Sequence, residues 1–131
     1  MEKILDIKED TWSTGKYSEF DGFVITTDNQ IIKIGISNSQ SCCENWGYLT
    51  TEDNIKEFIG TNLLSIQRVD TLLKKHKEVE ELQYLDEGDA MFINLETSNG
   101  LLQFVVYNAH NGYYGHEAVV ISKDLNISET L

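Results

Sequence analysis

The chain has 131 residues, with 22 Asp and Glu against 10 Lys and Arg and a formal charge of −12. That length suits one domain able to bury a core without staples, and no run reaches the ~20 apolar residues of a membrane-spanning helix. The charge works against direct nucleic-acid binding, which needs clustered Lys and Arg, and favours a basic partner.

Residues 1–19 mix polar residues with Ile4, Leu5, Ile7, Trp12 and Tyr17, and they read as an N-terminal extension of open order. Met1 to Asp6 is too densely charged for a signal peptide, which predicts a cytosolic chain. Phe20 to Thr27 reads as a strand, and Asp28-Asn29 as a tight turn that tolerates positive φ. Gln30 to Ser37 follows as the partner strand, so the pair predicts a β-hairpin. Ile32, Ile34 and Ile36 share one face of that second strand, while Ile31, Lys33 and Gly35 share the other. Gln40 to Tyr48 reads as a loop. Thr50 or Thr51 then caps a short helix over 52–59, in which Ile55, Phe58 and Ile59 bury one face and Gly60 is placed to end it. Leu63 to Leu73 admits strand or helix, with the alternation at Leu64 and Ile66 favouring strand; Lys74 to Glu81 reads as a charged linker or short helix. Ala90 to Thr97 and Leu101 to Asn108 flank the turn Ser98-Asn99-Gly100, a strong hairpin signal, and His116 to Ser122 supplies a final strand. The sum is an α+β domain over 1–131, with about six mostly antiparallel strands and one or two short helices.

The chemistry-bearing residues fall in the two loop-like segments. Cys42 and Cys43 are the chain's two cysteines, and His110 and His116 are two of its three histidines. Thiolate and imidazole are the ligands Zn²⁺ prefers, so one shared metal site at Cys42, Cys43, His110 and His116 is the reading to test. Pairing of the two strands flanking Tyr107 to Gly115 would set His110 and His116 across a hairpin mouth, with the cysteines at the exit of the Ile32 strand. Neighbouring cysteines point to opposite faces of an extended strand, so both reach one ion only where the backbone turns between them. Read one at a time, the histidines are equally ordinary strand-end residues bonded to backbone, and either cysteine is a small buried hydrophobe.

The same residues admit an enzymatic reading: a cysteine nucleophile activated by His110 or His116, or a zinc hydrolase with Glu44 or Glu117 as base. No signature of cysteine hydrolases, zincins, P-loops or dinucleotide folds is present, so the expectation is a protein that is not an enzyme. Trp46, Tyr48, Tyr107, Tyr113 and Tyr114 crowd these segments. Trp46 and Tyr107 read as aromatics closing the edge of the core, whereas Tyr113 and Tyr114, in a turn, are candidates for contact with a partner. An aromatic pocket around Trp46, Tyr113 and Tyr114 would suit a nucleotide messenger, which makes a messenger sponge the alternative to protein binding. The acidic run at Glu78, Glu80 and Glu81 is a further candidate contact.

QSCCENWGY at 40–48, the short segment ending FIG at 58–60, and YNAHNGYYGH at 107–116 together resemble a family of small proteins carried by phages and prophages of low-GC Gram-positive bacteria. The resemblance runs from about Asp21 to Ser122. The family it resembles includes phage-encoded anti-CRISPR proteins that inhibit Cas9, at least one of them zinc-containing. The resemblance implies a host-cytoplasmic, non-enzymatic inhibitor of a type II CRISPR nuclease that binds Cas9 directly and blocks its engagement of nucleic acid. It also implies Zn²⁺ at Cys42, Cys43, His110 and His116.

Overall fold

The computed structural model describes residues 2–14, 19–38, 45–50, 52, 54–69, 88–109 and 116–131. They form nine strands: β1 (Glu2–Ser13), β2 (Glu19–Thr27), β3 (Ile31–Ser37), β4 (Asn45–Thr50), β5 (Asn62–Val69), β6 (Gly88–Thr97), β7 (Gly100–Ala109), β8 (Glu117–Ile121) and β9 (Ile127–Thr130). Every neighbouring pair is antiparallel, in the order β4-β7-β6-β5-β1-β2-β3-β8-β9. β1 joins the two halves: it pairs along its length with β2, and only Glu2 and Lys3 reach β5.

The sheet folds over so that β2 and β3 face β4 and β7. The Phe23 ring lies 4.8 Å from Phe104 and 5.3 Å from Tyr48 across that interface. Alternation dictates what fills it: Ile32, Ile34 and Ile36 of β3, Met91, Ile93 and Leu95 of β6, and Leu102, Phe104 and Val106 of β7 are all buried in one cluster. Arg68 of β5 bonds Glu129 of β9 at 2.9 Å, fastening one half to the far edge of the other.

The expected α+β class with six strands is therefore corrected to a nearly all-β fold. Among the described residues the helix expected over 52–59 shrinks to a single 3-10 turn, Ile55–Phe58. Thr50 is not its cap: Asn54 holds the N-cap position without a side-chain bond, while the Thr50 hydroxyl, within β4, donates to the Gln103 carbonyl at 3.0 Å and accepts from the Glu52 amide at 3.3 Å. Ile55 and Phe58 pack on the core while Ile59 is exposed, and Gly60 ends the turn at φ +91°. The first half of the Leu63 to Leu73 segment is strand β5.

Both predicted hairpins form, each closed by a buried threonine at the end of its first strand. Thr27 Oγ accepts from the amides of Asn29 and Gln30, and Thr97 Oγ accepts from Asn99 and donates to Gly100 O at 2.7 Å. The Asp28-Asn29 turn closes without positive φ, whereas Gly100 takes φ +103°.

Candidate functional site

His116 precedes β8 and is 1% exposed. Its backbone exchanges two hydrogen bonds with Leu131, at 3.0 and 2.8 Å, and its ring stacks on Trp46 of β4 with centroids 5.3 Å apart. The ring Nδ1 lies 2.7 Å from the carbonyl oxygen of Ser37, the last residue of β3. A carbonyl only accepts, so Nδ1 carries a proton and donates it to Ser37. This is the arrangement by which a metal-ligating histidine is oriented from behind. It is also what a strand-end histidine tied to backbone looks like, so the local geometry fits both readings.

The contacts of His116 draw together the chain on either side of the two motif segments. Ser37, at the end of β3, touches the His116 ring, Trp46 covers that ring, and Asn45 is paired with Ala109. The end of β3, the starts of β4 and β8 and the end of β7 thus converge. The strands flanking Tyr107 to Gly115, whose pairing would have set His110 opposite His116, do not pair with each other: β7 pairs with β4 and β6, and β8 with β3 and β9. The convergence comes from the folding over of the sheet instead.

Next to this junction the core-facing side of β1 and β2 turns acidic. Thr11 is opposite Asp21, and Ser13 opposite Glu19, on the same face as the Glu9–Phe23 pair. Asn38 Nδ2 donates to Glu19 and to Asp21, both at 2.9 Å, and Thr11 Oγ donates to Asp21 at 2.7 Å. Tyr48 donates to Glu9; burial first, and then the charges of Glu9 and Asp21, hold its phenol above the ordinary value of 10.0. Every one of these donors is neutral. They orient three carboxylates without cancelling their charge, and among the described residues no Lys or Arg pairs with Glu9, Glu19 or Asp21.

A family model for a domain of unknown function, DUF7448, matches residues 2–120. The chain belongs to the DUF7448 family. Nothing matches it among curated proteins or among solved structures. The family match runs from the start of β1 into β8, and hence takes in His116, Trp46 and the acidic rim of this DUF7448 domain.

Of the residues expected at a metal site, the structure describes His116 alone; Cys42, Cys43 and His110 lie outside the described residues, as do Glu44, Tyr113, Tyr114, Glu78, Glu80 and Glu81. Among the described residues no cluster of three His, Cys, Asp or Glu is spaced to hold an ion. Trp46 packs against the core, as expected. The rim of Glu9, Glu19 and Asp21 was not legible as a site, because these residues alternate with apolar ones as in any half-buried strand. Among the described residues no helix is long and apolar enough to cross a membrane.

Proposed function

We propose that this DUF7448 domain is a non-enzymatic binding protein that docks its acidic rim on a basic, nucleic-acid-binding protein. The candidate partner is the type II CRISPR nuclease Cas9, as the resemblance of its motifs implies, and docking would keep nucleic acid from that surface. The observation that carries this reading is the rim itself: Glu9, Glu19 and Asp21 held in place by Tyr48, Asn38 and Thr11, all neutral donors. Carboxylates oriented in advance and not paired with a cation among the described residues present a fixed negative potential, which steers a cationic groove and costs little ordering on contact.

A structural zinc at Cys42, Cys43, His110 and His116 belongs to the same proposal. Support for it is the ring orientation of His116, whose Nδ1–H is engaged by Ser37 O, and the convergence of the strand ends that flank both motif segments. Zinc there would tie two segments to one point and stiffen the face beside the rim. The test is DNA cleavage by guide-loaded Cas9 with the purified protein added before target DNA. Cleavage is expected to fall with added protein and to be spared when the protein is added after the target is bound. Undiminished cleavage in both orders would sink the Cas9 reading; a thermal shift with cyclic nucleotides would then favour the messenger-sponge alternative.

A further inference from the structure

A second feature lies away from the rim, on the outer side of the β5-β6-β7 half. Ile66, Leu95 and Leu102 face the core, so alternation turns Ser65 and Gln67, Asn94 and Glu96, and Leu101 outward. Together with Thr97 and Gly100 they line a cavity of about 380 Å³ near the β6–β7 turn. None of these lining residues is basic. Asn94 Oδ1 is buried and, among the described residues, receives no hydrogen bond. A desolvated acceptor left so is destabilising, which calls for a donor that the described residues do not supply. Glu96 is exposed beside it with Ser65 Oγ donating to its Oε2 at 3.1 Å, and Leu101, 42% exposed, offers apolar surface for an aliphatic stem.

We propose that this cavity takes the guanidinium of an arginine side chain presented by the basic partner. Guanidinium carries five donors in a plane and accepts nothing, which matches a lining that offers the Gln67 amide oxygen and the Glu96 carboxylate at its surface, and an Asn94 oxygen, buried in the free protein, that comes within reach as the lining side chains part around the entering group. The inference rests on the basic-partner reading above and adds a second contact, on a different face from Glu9, Glu19 and Asp21.

Titration of the ¹⁵N-labelled protein with N-acetyl-arginine amide tests it without the nuclease. The expected result is saturable shifts at Ser65, Gln67, Asn94, Glu96 and Leu101, with N-acetyl-lysine amide binding more weakly and N-acetyl-glutamine amide not at all. Glu96→Gln, at an exposed site that leaves the fold alone, should weaken the arginine probe about tenfold, the loss of one charge-assisted hydrogen bond. Asn94→Leu should weaken it as well without lowering Tm, since it removes a buried acceptor that nothing satisfies. Absence of shifts at the cavity, equal binding of the lysine probe, or an Asn94→Leu variant that loses Tm and keeps affinity would each overturn the inference. Nuclease inhibition that persists without probe binding would overturn the cavity alone. Probe binding without nuclease inhibition would overturn the Cas9 reading and leave the cavity standing.

Discussion

Replacing His116 by Ala and by Phe separates packing from metal binding. In the Ala variant the buried ring is deleted, the stack on Trp46 at 5.3 Å is lost, and Ser37 O loses its imidazole donor. Removal of a buried aromatic side chain costs about 3–5 kcal/mol, the stack included. Phe keeps an aromatic ring and the stack, and forfeits the hydrogen bond to Ser37, about 1–3 kcal/mol. At roughly 2.1 cal/mol/K of unfolding entropy per residue, each kcal/mol moves the Tm of a domain this size by about 3–4 °C. Packing alone therefore predicts a fall of about 10–20 °C for Ala and a clearly smaller one for Phe. A structural zinc predicts something different: both variants lose a ligand, so both fall by a similar and larger amount, and neither is affected by a chelator that strongly destabilises the wild type. Calorimetry with and without chelator, alongside metal content by elemental mass spectrometry, reads the difference. A wild type indifferent to chelation, with Phe well above Ala, would refute the zinc account.

Three other outcomes follow from the same geometry. Tyr48 has its pKa raised in the folded state, so its contribution is fully present below the ordinary value of 10.0 and is lost as pH rises through the raised value; Tyr48→Phe should flatten the alkaline fall in a pH series of denaturant melts. Gly22→Ala places a Cβ 2.0 Å from Ile34 O and 2.5 Å from Gly35 Cα, all backbone of β3. The β2–β3 ladder must part, at a cost of about 3 kcal/mol or more, and urea denaturation should show it. Gly100→Ala meets nothing within 4 Å and pays only for φ +103°, so its loss should be smaller, about 1–2 kcal/mol.

What the sequence made legible was governed by strict alternation. Ile32, Ile34 and Ile36, and the Asn99-Gly100 turn, announce two hairpins, and both form. β1 hides because its register shifts between Ile4 and Asp6: Ile4 and Ile7 are both buried at a spacing of three, Leu5 is exposed, and Trp12 packs on the opposite face with Phe20, Val24 and Val119. β5 slips in the same way, burying Leu63 and exposing Leu64. β4 reads as a loop because of Gly47, yet a Cβ there would meet the Tyr107 hydroxyl at 2.7 Å, so glycine is what lets Trp46 and Tyr48 sit on the core face beside β7. β9 is four residues long and too short to signal itself. The candidate site was half legible. Clustering of residue types picked out His116, but the rim depends on which strands fold over which, and local pattern carries no trace of that.

The account's central claim is docking through the rim, and the most direct measurement is the association rate of the protein with guide-loaded Cas9 across a salt series. The comparison is between the wild type and the triple variant Glu9→Gln, Glu19→Gln, Asp21→Asn. Each amide still accepts from Tyr48, Asn38 or Thr11, so the variant should keep its Tm while losing the charge. The account predicts a wild-type rate that falls steeply with salt, and a variant about tenfold slower at low salt with a flattened slope. A folded variant that associates at the wild-type rate and with the same salt dependence would contradict it.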